Sequence, residues 1–252
     1  MRLYRTLLPF FLLFFILKSQ GQGTSGYAYY SVIKSADSSL NTPEELWILS
    51  THSFVPKIAS MMTFKLEFTA SRSLFTRVKS KEIDKLAKAD VRSTETLIGY
   101  RDSTWQDNDY CYLFDRDMKN PLDKKGLMLK TNNNFDWKIS TETKQIGEFT
   151  CYKATGNRET SYIEEGVTKI KKRLVIAWFC PDIPVSFGPI YTRNLPGLIF
   201  EFQEGGTLYG LKELNLASKP EIAPLPNKEI ITKEEWRTRL YEKAKELNIP
   251  YQ

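Results

Sequence analysis

The sequence predicts a mainly β protein of the α+β class. It should be an antiparallel curved sheet or half-barrel with a short N-terminal helix and a C-terminal amphipathic helix. Three observations predict it. Short aromatic and β-branched runs recur between clusters of Gly, Pro, Asn and Asp, the punctuation expected of many short strands. Thr63 to Thr69 alternates strictly, with Phe64, Leu66 and Phe68 on one face, as a half-buried strand does. Helix starts are well marked at Thr42 and at Thr232. The chain has 252 residues, 13% aromatic and 26% charged, a composition that folds rather than stays disordered.

In chain order, Arg2 and Arg5 precede an apolar stretch from Leu7 to Leu17, and Ser19 and Gly21 stand as the −3 and −1 positions of a cleavage site. That is the three-part layout of a secretory signal peptide over residues 1–21. The apolar stretch rises only about 16 Å as a helix, against a hydrocarbon core of about 30 Å, so it is too short for an anchor. The first cysteine is Cys111, so a lipid-modified N-terminal Cys is excluded. Removal of residues 1–21 takes Arg2, Arg5 and Lys18 with it and leaves 33 basic against 30 acidic groups. So small an excess does not make a polyanion-binding footprint, and no nucleic-acid partner is expected. No transmembrane span is expected in the mature chain.

Residues 22–252 read as one β-rich domain. Gly26 to Ile33 makes a first strand, and Thr42-Pro43-Glu44-Glu45 opens a short helix through a capping box with Pro at the first position. Leu74 to Val78 is a plausible strand partner for residues 63–69, whereas 79–96 is charged and weakly periodic, an exposed loop or a short helix. Strand patterns return at 110–114, at 126–129 and around 137–139. Residues 149–154 and 173–179 then read as the arms of a long hairpin with a polar connection from Gly156 to Lys172. In the second arm Leu174, Ile176 and Trp178 take one face and Val175, Ala177 and Phe179 the other. An antiparallel strand with a wet face should alternate apolar and polar. Either helices cover the second face, or that face lines an apolar cavity. Residues 216–231, with Pro220, Pro224 and Pro226, form a linker, and 232–248 the closing helix. There Thr232 and Glu235 make a capping box, Ile231 and Trp236 a hydrophobic staple, and Trp236, Leu240, Ala244 and Leu247 a stripe that docks on the sheet.

Asn194-Leu195-Pro196-Gly197-Leu198-Ile199 follows the stretch Phe179 to Pro189. Pro196 suits the second position of a β-turn, and Gly197 the positive φ that a type II turn then requires. From Leu198 onward Leu198, Phe200 and Phe202 share a face as the chain leaves the turn. Together with Trp137-Lys138-Ile139, Thr143 to Thr155 and Ala177-Trp178-Phe179, these residues resemble, in the same order, the GLPGLI family of exported proteins typical of Bacteroidetes-type bacteria. The resemblance covers roughly residues 135–215. Asn194 stands where the family name has Gly, and Asn is the next most tolerant residue of positive φ. The resemblance implies a periplasmic or outer-membrane-associated location and carries no enzymatic activity. Its order of strands and helices is similar to the half-barrel of periplasmic lipoprotein carriers, an analogy of fold.

No catalytic constellation emerges. His52 is the sole histidine, and no Gly-x-Ser-x-Gly elbow, Walker loop, dinucleotide fingerprint or zinc spacing accompanies it. No metal or other cofactor is expected. Asp107-Asn108-Asp109 opens like a calcium loop, but Tyr112 takes the glycine position and Met118 the closing glutamate position. Lys169, Lys171, Lys172 and Arg173 read as a solvated hairpin arm. Cys151 and Cys180 can face each other across the hairpin and pair as a disulfide, leaving Cys111 over, or all three can be isolated buried thiols. The expectation is therefore a non-enzymatic exported protein that binds an apolar ligand or an envelope component, with Trp178, Phe200 and Phe202 as lining candidates. The alternative is a structural or assembly partner of an outer-membrane receptor. A hydrolase built on His52 ranks third.

Overall fold

A computed structural model of the chain describes residues 24–114, 127–132, 135–164 and 167–246. Residues 1–21, with the expected signal peptide, Met118 and the end of the C-terminal stripe, Leu247, lie outside the described residues. The strands in chain order are β1 (Gly26–Lys34), β2 (Thr63–Phe68), β3 (Arg72–Arg77), β4 (Thr104–Asp107), β5 (Cys111–Phe114) and β6 (Leu127–Thr131), then β7 (Lys138–Ile146), β8 (Phe149–Glu164), β9 (Val167–Cys180), β10 (Leu198–Glu204), β11 (Thr207–Asn215) and β12 (Glu229–Thr232). The helices are α1 (Pro43–Thr51), α2 (Val55–Met61), α3 (Lys81–Asp84), α4 (Lys88–Leu97) and α5 (Lys233–Glu246). The protein is mainly β, a single open, curved sheet of these twelve strands with few helices. Its order is β12-β6-β5-β4-β3-β2-β1-β11-β10-β9-β8-β7, antiparallel throughout except for the parallel β12–β6 pair.

Period-two alternation decides which face each strand buries. In β2 Phe64, Leu66 and Phe68 are buried, as the alternation required, and they pair across with Tyr30, Ala28 and Gly26 of β1. The main core joins the sheet to α2, to Ile83 of α3, Val91 of α4 and Ile98 beyond it, and to the segment 181–197 through Val185, Phe187, Ile190 and Leu195. Phe64 stacks on Phe75 at 5.3 Å and meets Tyr100 and Tyr209 edge-on at 4.9 and 5.4 Å. These are the geometries that the aromatic quadrupole favours. Two buried phenols tie distant elements. Tyr30 donates to the Ile199 carbonyl at 2.7 Å and Tyr209 to the Ile98 carbonyl at 3.1 Å.

Both capping boxes form. Thr42 Oγ1 accepts from the Glu45 N–H while Glu45 accepts from the Thr42 N–H, and Thr232 with Glu235 repeats the exchange at α5. Ile231 and Trp236 meet in a small cluster with Leu113, Leu127 and Leu129, which docks the start of α5 on β6.

Several expectations need correction. The polar connection 156–172 is mostly strand, because β8 and β9 continue in register as far as Glu164 opposite Val167. Residues 229–231 of the linker join the sheet as β12, and Trp105 Nε1 holds the Pro-rich stretch through the Ala223 carbonyl at 3.0 Å. The charged stretch 79–96 takes the short-helix alternative as α3 and α4, whereas α2 had no anticipated counterpart. Among the described residues no helix covers the second face of β9; its Leu174 and Ile176 instead line an open, largely apolar groove of about 330 Å³ with Leu40, Asn41 and Gln203. Leu174 is 59% exposed, and Ile176 and Trp178 are half-buried. Lys144 and Lys153 lie over the Trp178 ring at 5.4 and 5.8 Å, so lysine stems shield that end of the face. The run 169–173 is also divided. Lys169, Lys171 and Lys172 are exposed, but Arg173 turns inward to Glu45.

Candidate functional site

The motif stretch is built as a lock. Asn194 has φ +68°, the left-handed conformation anticipated for it, and its Oδ1 accepts from Arg193 Nε at 3.1 Å. Leu195, Leu198 and Ile199 are buried and Pro196 is exposed. Gly197 is outside the left-handed region, which corrects the type II reading. Its requirement is space, since a Cβ there would lie 2.2 Å from the Cys180 carbonyl oxygen and 2.8 Å from Pro181 N. Arg193, fully buried, reaches the Asn108 carbonyl in the β4–β5 turn, and its own carbonyl accepts from Trp137 Nε1 at 2.9 Å. The Asp107 run is that turn. Its carboxylate accepts the N–H groups of Asp109 and Tyr110 at 2.9 and 2.7 Å.

The three lining candidates do not share a surface. A register shift at Phe200 sets Ile199 opposite Phe179 but Glu201 opposite Trp178, so the alternation expected from Leu198 onward breaks. Phe200 is sealed against Phe149 at 5.3 Å. Trp178 lies on the far face under its lysines. Phe202 borders an inner recess. Cys151 and Cys180 do come together: the register runs from Tyr152 opposite Phe179 toward these neighbours, and both are buried free thiols. His52 is the C-cap of α1, with Nδ1 3.1 Å from the Ile48 carbonyl and its ring against Phe54 at 5.5 Å.

A site that sequence reasoning missed lies where the sheet curls back toward itself. A cavity of about 390 Å³ is walled by Leu113 and Phe114 of β5 and Leu129 of β6 on one side, and by Arg158 and Glu159 of β8 on the other. These strands stand near opposite ends of the sheet order. The first turns of α5 contribute Lys233, Trp236 and Arg237, and the bend after α4 contributes Arg101 and Asp102. The volume falls within the range of about 300–1,000 Å³ typical of small-molecule sites. Ile190 lines it with φ +59°, a conformation that costs a β-branched residue about 1–3 kcal/mol and tends to cluster at binding sites.

A smaller recess of about 150 Å³ shares Thr96, Gly99, Arg158 and Ile190 with the cavity and leads to a network of charges. Arg158 Nε donates to Glu204 at 2.7 Å, Tyr191 donates to the other Glu204 oxygen at 3.1 Å, and Arg173 joins Glu45 to Glu204. Burial pushes the Glu45 carboxyl upward. The hydrogen bonds from Arg173 and the Thr42 N–H outweigh that and hold it below the usual glutamate value. Burial lowers Lys34 beside them, against the pull of Glu45. At the cavity itself Lys233 reaches solvent. Desolvation and the like charges of Arg158 and Arg237 still hold its ammonium below the ordinary lysine value. The sequence-level trace of this site is Lys233 and Arg237 beside Trp236 at the start of α5, whereas Arg158 lies in the stretch whose pattern reads as the polar connection of the hairpin.

Among the described residues no cluster of three His, Cys, Asp or Glu side chains could hold a metal, and no helix is long and apolar enough to cross a membrane. A family model described as "Protein of unknown function (Porph_ging)" matches residues 156–201, from the middle of β8 through the motif into β10. No curated protein matches the sequence. Two solved structures of PNGF-II are similar, one in space group P21 at 12% identity and TM-score 0.47, the other in C2 at 13% and 0.46. Each covers 88% of this chain, and this chain spans only about a third of theirs, 34% and 33%.

Proposed function

We propose that the chain is an exported, non-enzymatic binding protein of the GLPGLI type, holding a small ligand with an apolar body in the cavity between the curled sheet and α5. The observation that carries this reading is the cavity itself, walled by Leu113, Phe114, Leu129 and Trp236 and by the solvent-exposed Lys233 and Arg237. The strained Ile190 in its wall adds support. Native mass spectrometry of the chain recovered from its own cell envelope tests it. A stoichiometric added mass, lost on solvent extraction, is expected, and a bare chain as the sole species would overturn the binding role. Export is tested separately by N-terminal sequencing of the recovered protein, which should begin at Gln22.

A further inference from the structure

The cavity wall is chemically divided. Leu113, Phe114, Leu129 and Trp236 form its apolar part, while Arg101, Arg158, Lys233 and Arg237 outnumber Asp102 and Glu159. Both carboxylates have donors elsewhere. Asp102 accepts the Ser103 N–H at 2.7 Å, and Glu159 pairs with Lys172 at 2.8 Å. Arg158 is committed to Glu204. Lys233 has no ion-pair or hydrogen-bond partner among the described residues. It also opens α5, where the helix dipole disfavours a cation. With the like charges of Arg158 and Arg237 nearby, no ion-pair partner among the described residues and solvent access, its ammonium is available to an anion that enters the cavity.

We propose that the cavity takes an amphipathic monoanion, a medium-chain carboxylate, with its head on Lys233 and its chain against Leu113, Phe114, Leu129 and Trp236. Arg158 and Arg237 supply positive field around the head rather than its direct contact. The inference rests on the binding role above and adds the charge and polarity of the ligand.

Calorimetric titration of the mature chain with decanoate and with decanol tests it, since the two probes share an apolar body and differ in charge. Decanoate should bind at least 10-fold more tightly than decanol, and Lys233→Gln should remove most of that preference. Arg237→Gln should weaken decanoate less. Thermal melts of both variants establish that each is folded before titration. Equal binding of the two probes would overturn the anionic head and leave the binding role standing, as would a decanoate preference that survives Lys233→Gln. Binding of neither probe would remove this inference, and a ligand still found on the chain from its own envelope would show that the binding role survives without it.

Discussion

Gly197→Ala isolates what the motif does. The new methyl group would meet the backbone of Cys180 and Pro181, with the Cys180 carbonyl oxygen at 2.2 Å and its carbon at 2.5 Å. Neither can rotate away as a side chain would, because β9 and β10 pair in this region, with Leu198 opposite Cys180. Overpacking costs about 1–3 kcal/mol where side chains can adjust, so a backbone obstacle belongs at the upper end, about 3 kcal/mol. For a chain of this length about 1 kcal/mol moves Tm by roughly 2–4 °C, so a fall of about 6–12 °C is expected. Gly147→Ala is the control. Gly147 has φ +61° with nothing within 4 Å of the added Cβ, so only the left-handed cost of about 1–2 kcal/mol applies. Thermal unfolding followed by circular dichroism reads both. If Gly197→Ala melts at or above Gly147→Ala, the close approach is not what fixes a glycine there.

Asn194→Ala removes the acceptor of Arg193 Nε and places Ala at φ +68°, so it should lose about 1–3 kcal/mol by denaturant titration, while Asn194→Gly should lose less. Tyr30→Phe strips the buried donor from the Ile199 carbonyl and should cost about 1–2 kcal/mol; an unchanged midpoint would mean that the bond contributes nothing. Because Glu45 is held below its ordinary value of about 4.3, its contribution is complete above that pH and drains away as pH falls through the folded value. Urea midpoints between pH 5 and pH 3 should therefore drop, and Glu45→Gln should flatten the slope. Burial pushes the Cys111 and Cys151 thiols up to about 12, so iodoacetamide at pH 8 should leave both unmodified in the native reduced protein and label them after denaturation.

Local chemistry was legible in the sequence. The alternation of residues 63–69 fixed which side chains of β2 face the core, and the two capping boxes fixed where α1 and α5 begin, because each depends on neighbours within a few residues. The hairpin placed Cys151 near Cys180, and Asn194 marked a left-handed turn for the same reason. The tertiary structure alone decided the rest. The register shift at Phe200 separates Trp178 from Phe202, and a bulge depends on how three strands fit rather than on one strand's pattern. Gly197 is set by the Cys180 backbone, 17 positions earlier in the chain, a contact with no local period. The cavity exists because twist, accumulated over many strands, brings Arg158 of β8 round toward Leu129 of β6 and Lys233 of α5. Hydrophobic periodicity reports which face of a strand is buried, but the curl of the whole sheet decides which distant residues that face will meet.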